Sequence, residues 1–204
     1  MNGTKRLKRP RTLYQTSAAA FRWLHIYLSM LSFAALMFFA FTGITLNHPT
    51  WFGAAEQSMR DEVGQLSTEM LGPDVDRLLV AEQLRNSHHL RGQVTEFVID
   101  EFECMLVYKG PGYSADVFVD RESGSYTLTE ISSGPMAIMN DLHKGRDSGK
   151  QWAWVIDLSA GVMMLMSVAG FGLLFYLKKR RVSGVLTAVI GTIAFIAAWA
   201  IWVP

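Results

Sequence analysis

Three stretches of this chain carry no charged side chain, and they decide what it can fold into. Between Arg22 and Glu56, between Asp157 and Lys178, and from Val182 to Pro204 there is no Asp, Glu, Lys or Arg. Each run is long enough to cross a hydrocarbon core, which takes about 20 apolar residues at a rise of about 1.5 Å each. The 204 residues are therefore expected to form a membrane α-helical protein with three transmembrane helices, at 23–48, 152–177 and 182–204. The first run is too long for a signal-peptide core, and "FTGITLNHPTWF" offers no small-x-small cleavage site, so an uncleaved anchor is expected.

Orientation follows from the cations, because Lys and Arg near span ends are retained on the cytoplasmic side. A basic tail (1–22, with "KRLKRPR") precedes the first span, and "KKRR" (178–181) joins the second to the third. Both fall on one side if the N-terminus is cytoplasmic, which places the segment between spans one and two, and the C-terminus, outside. Trp51, Trp152, Trp154, Trp199 and Trp202 then gather at the outer interface as an aromatic belt. The tail is thereby explained by topology, and no nucleic-acid partner is expected.

The inserted segment 56–132 has a soluble composition. In "PDVDRLLVAEQLRNSH" the apolar residues Leu78, Leu79, Ala81 and Leu84 recur at helical spacing after an acidic start, which predicts a helix of about three turns. Four strands follow: "GQVTEFVID", "FECMLVYKG", "GYSADVFVD" and "SYTLTEIS", separated by turn residues such as "KGPG" and "RESG". One helix on one face of an antiparallel sheet, an α+β domain inserted between helices 1 and 2, is the arrangement that buries both stripes. Cys104, the single cysteine, lies in "CMLVY" and reads as a small core residue.

A helix followed by a meander ending in "VFVDRESG" resembles a PepSY domain. With its flanking spans, "FRWLHIYLSMLSFAALMFFAFTGITLNHP" and "DLHKGRDSGKQWAWVIDLSAGVMMLMSVAGFGLLF", the chain looks like the small PepSY-associated transmembrane proteins of bacteria. Larger proteins of similar plan are haem-containing iron or siderophore reductases of the inner membrane. The resemblance therefore implies an inner-membrane location, haem b as cofactor and electron transfer. This chain has three spans where those relatives have four or more.

Of five histidines, three lie near the ends of apolar runs: His25, His48 and His143. Ionisable side chains at membrane depth are costly and usually face a bundle interior or bind something. "SSGPMAIMNDLHKG" reads as a short interfacial helix within 133–150, capped by Ser133, with Met136, Met139, Leu142 and His143 on its apolar side and Asn140, Asp141 and Lys144 on the polar one. His48 sits on the same boundary, before Pro49. Two neutral imidazoles can fill both axial positions of a haem iron, so His48 and His143 are candidate ligands. Lys144, Arg146 and Lys150 are then candidate partners for the haem propionates, the competing reading being lipid headgroups. Asp157 is read as orienting a ligand histidine or lining a wet crevice.

His25 lies about 34 Å from His48 if the run is helical, so it cannot share that site. It is either a ligand of a second, inner haem or an interfacial anchor in "WLHIY". No histidine on the other spans can pair with it, which leaves a second copy of the chain in a homodimer, a redox partner subunit or five-coordinate iron. His88 and His89, at the end of the soluble helix, read as surface polar residues. There is no zinc spacing, no nucleophile triad and no nucleotide-binding glycine pattern, so no catalytic residue is assigned. Without a flavin or nicotinamide site the electron donor must be a lipid quinol or another subunit. Two further readings remain: a membrane-anchored PepSY module that binds a peptidase or senses a ligand, and histidines that handle metal ions without haem.

Overall fold

The computed structural model of the chain describes residues 12–204. The basic cluster at 5–11 lies outside the described residues. In chain order the elements are α1 (Leu13–Asn47), β1 (Gln57–Gln65), α2 (Arg77–His88), β2 (Gln93–Ile99), β3 (Glu103–Gly110), β4 (Tyr113–Asp120), β5 (Ser125–Ser133), α3 (Pro135–Lys144), α4 (Gly149–Leu174) and α5 (Arg181–Trp202). Among the described residues α1, α4 and α5 are long and apolar enough to cross a membrane. Helix α1 begins ten residues before the expected start at 23, because "LYQTSAAAFR" contains no helix breaker. His25 is accordingly well inside a helix rather than within a turn of its end.

The residues fall into two compact units. One comprises the described residues up to Leu36 together with Leu158–Pro204. Here glycines let helices approach. A Cβ at Gly172 would stand 2.4 Å from Phe21, and one at Gly184 would stand 2.4 Å from Leu174. Gly191 faces open space. Tyr14 and Phe21 meet Tyr176, with centroids 5.0 and 5.7 Å apart.

The other unit, Met37–Asp157, contains a five-stranded antiparallel sheet of order β1-β5-β4-β3-β2. Helix α2 starts where the Asp76 carboxylate accepts the backbone N–H groups of Leu78 and Leu79 at 3.1 and 3.0 Å. It ends at His89, left-handed at φ 55°. Val80, Ala81 and Leu84 of α2 are buried with Cys104, Leu106, Tyr108, Val117, Val119 and Leu128, all on one face of the sheet. Tyr108 donates its hydroxyl to the Ala81 carbonyl at 2.8 Å, and burial pushes its pKa up to about 12. Cys104 is a buried core residue, as expected, and burial raises its pKa.

The expected meander is present, but with a fifth strand in front of the helix. β1 pairs with β5 from Gln57↔Ser133 to Gln65↔Ser125. Its core-side positions are Arg60, Glu62 and Gly64, so no apolar alternation marks it. Gly64 lies under the Tyr126 ring, where a Cβ would come 2.3 Å from the hydroxyl.

Leu84→Ala should lower the stability of the full chain by about 2–5 kcal/mol, read as a shift of the domain's unfolding in denaturant, since it removes a fully buried side chain of α2 from the core.

Candidate functional site

Helix α3 carries Pro135 at its first turn and stops at Gly145, left-handed at φ 69°. Its N-cap is Gly134 rather than Ser133, one residue on. His143 lies in α3 against α1. Its ring meets Phe39 edge-on with centroids 5.1 Å apart, and its Nδ1 is 2.5 Å from Thr42 Oγ1. Thr42 is fully buried and has one hydroxyl proton, which goes to the Phe38 carbonyl at 2.6 Å. With that proton on the Phe38 carbonyl, the Thr42 oxygen is the acceptor, Nδ1 is assigned the ring proton, and Nε2 of the neutral ring keeps its lone pair. Burial, and next the Lys144 charge, hold the His143 pKa below its ordinary value.

Asn140 was expected on the exposed side of α3 and is instead only 8 % exposed. Thr45 of α1, also fully buried, donates to its side-chain carbonyl at 2.7 Å. A helix whose ends face both α1 and the sheet has no wholly exposed side. The Trp152 indole donates to the Leu142 carbonyl at 2.8 Å and ties the start of α4 to α3.

His48 directly follows α1, with its N–H on the Thr45 carbonyl at 3.1 Å. Its ring stacks on Trp51 at 3.9 Å and 9°. Among the described residues no hydrogen bond or ring contact joins His48 to His143, so the structure gives each its own partner. Arg146 pairs with Asp141 at 3.8 Å, and Asp141 also accepts the Gly112 N–H at 2.9 Å. Lys144 and Arg146 border a cleft of about 230 Å³ whose floor includes Thr45 and Asn140. Lys150, exposed in the first turn of α4, is not part of that cleft, and Asp157 is exposed with no hydrogen bond or ion pair among the described residues.

In the other unit, His25 Nδ1 lies 3.1 Å from the Met166 carbonyl of α4. A carbonyl only accepts, so this ring is also protonated on Nδ1 and leaves Nε2 open when neutral. Gly170 makes room for it: a Cβ there would be 2.9 Å from the ring. What the structure places beside His25 is not a second ligand but a hydrogen-bond acceptor, a backbone carbonyl that no residue pattern announces.

His88 is not the surface residue expected. Its Nδ1 bonds Glu62, and its Nε2 lies 2.7 Å from the Tyr126 hydroxyl. Arg60 completes the group, reaching Glu130 at 2.7 Å and the His88 carbonyl at 3.3 Å. These contacts fasten the polar strand β1 to α2. His89 is the exposed left-handed cap. No cluster of three or more His, Cys, Asp or Glu side chains that could hold a metal ion occurs among the described residues.

Three membrane-length helices and a five-stranded antiparallel sheet define a membrane protein with an α+β domain. A family model described as PepSY_TM-like matches residues 19–204, and the chain belongs to that family. No curated protein and no solved structure matches it.

Two outcomes follow from these contacts. His88→Ala should destabilise the domain by about 1.5–3 kcal/mol, read by chemical denaturation, because it strips the Glu62 carboxylate of a charge-assisted bond. The depressed pKa of His143 makes the folded protein resist a proton that the unfolded chain accepts near the ordinary value of 6.5. Stability should therefore fall as pH drops through 6.5 toward the folded value, and His143→Gln should remove that part of the dependence.

Proposed function

We propose that this is a haem-binding protein of the bacterial inner membrane that takes part in transmembrane electron transfer, toward an acceptor such as ferric iron or a siderophore on the far side. The observation that carries this reading is the hydrogen bonding of two histidines. His143 and His25 each commit Nδ1–H to an oxygen and leave Nε2 free, which is how a protein prepares an imidazole as a metal ligand: the outer hydrogen bond fixes the tautomer and raises ligand basicity. Phe39 meets the His143 ring edge-on, and Gly170, by lacking a side chain, lets the His25 ring lie against α4. The lone cysteine is buried in the sheet core, which favours a non-covalently held haem b.

In this reading His143 would hold an outer haem, joined by His48 once it leaves Trp51, a stacking contact worth about 0.5–1.5 kcal/mol. His25 would hold an inner haem, alone or with a residue of a second copy or a partner subunit. Lys144, Arg146 and Lys150 take the propionates, and Asp157 orients a ligand. The bound group would supply a one-electron carrier; the protein's own residues bind and orient it and keep water from its faces. The N-terminus is cytoplasmic and the PepSY-like domain and C-terminus are periplasmic, a direction supported by the cations at 178–181. A lipid quinol or a partner subunit supplies the electrons.

Purified full-length protein titrated with haem should develop a Soret band. His143→Ala and His25→Ala should each remove part of it, and Thr42→Val should weaken uptake about 10–100-fold by removing the Nδ1 acceptor. A chain that takes up no haem, or variants that bind it as the parent does, would show the reading to be wrong.

A further inference from the structure

The face of the sheet that α2 leaves bare has an order the haem reading does not use. Strand register places Val98, Met105, Phe118, Thr127 and Val63 opposite one another across all five strands, in one row. Val63 is 80 % exposed and Phe118 44 %. At about 4.8 Å per strand the row is about 19 Å long, the length of about 13 helical residues. On one side runs a second register row, Glu96, Val107, Asp116, Thr129 and Asp61, with three carboxylates. On the other side Glu103 and Asp120 lie opposite one another. Phe118, Val63 and Thr127 line a groove of about 680 Å³ together with Glu103 and Asp120. These three rows contain no Lys or Arg. The Ser123 N–H and hydroxyl hold the Asp120 carboxyl below its ordinary range, so it stays ionised.

Two occupants are disfavoured by these charges, and a third by the edges of the sheet. A second copy docked through this face would oppose carboxylate to carboxylate, and an anionic lipid surface would be repelled. A strand added at an edge meets Arg60, Asp61 and Glu62 on β1 and a register shift between Val94 and Glu96 on β2. We infer that this open face is a docking surface for a cationic amphipathic helical segment of a partner protein on the same side of the membrane. Its apolar stripe lies along the Val98–Val63 row and its Lys or Arg side chains reach the flanking carboxylates.

The test uses the full chain in phosphatidylcholine nanodiscs. The probe is a synthetic Leu/Lys helix of about 14 residues. Its controls are a scrambled isomer of equal charge, a Leu/Glu counterpart and empty nanodiscs. Binding is read by anisotropy, and contact by carbodiimide cross-links mapped by mass spectrometry. The amphipathic cationic probe should bind above the empty-disc signal and weaken at about 0.5 M salt. It should cross-link to Asp61, Glu96 and Asp116. Phe118→Ser and Val63→Ser, both at surface positions, and the triple change D61N/E96Q/D116N should each weaken it about tenfold. Equal binding of the scrambled or Leu/Glu peptide, cross-links spread over other carboxylates, variants that bind as the parent does, binding no greater than to empty discs, or Phe118→Cys copies that disulfide to one another would overturn the inference.

Discussion

A single hydroxyl proton, that of Thr42, organises the junction of α1 and α3. Thr42 and Thr45 are the fully buried polar side chains of that stretch of α1, and each reaches across to α3, one to His143 and one to Asn140. Two bonds from buried hydroxyls to neighbouring positions of α3 fix the rotation of that helix as well as its position. Because the Thr42 proton is spent on its own helix, the tautomer of His143 is decided as well, and with it the nitrogen that remains able to bind.

His25 reaches the same protonation state by a different route. Its acceptor is the backbone of α4, and closeness is granted by the missing side chain of Gly170. Two histidines in separate units, one held by a threonine and one by a carbonyl, thus expose the same nitrogen.

The spans were legible because a charge-free run of that length has few other uses, and β2 to β5 were legible from alternation. β1 was not, because its core-side residues, Arg60, Glu62 and Gly64, carry polarity where the pattern expects apolar side chains. The same strand hid the role of His88: a histidine at a helix end looks like surface until its Glu62 and Tyr126 partners are brought from distant positions by strand pairing. His143 was singled out by its place on the α3 stripe, but its tautomer depends on hydrogen bonds that the stripe does not encode. Asn140 was misplaced because a helical stripe describes one contact, whereas α3 meets neighbours on more than one side.

The most direct measurement is the electron paramagnetic resonance spectrum of the full-length protein after haem loading. The account expects a low-spin ferric signal from iron held by imidazole, with its share from the outer site lost or turned high-spin in His143→Ala and regained with added imidazole. A preparation without any haem signal, or a low-spin signal unchanged in His143→Ala and His25→Ala alike, would contradict it.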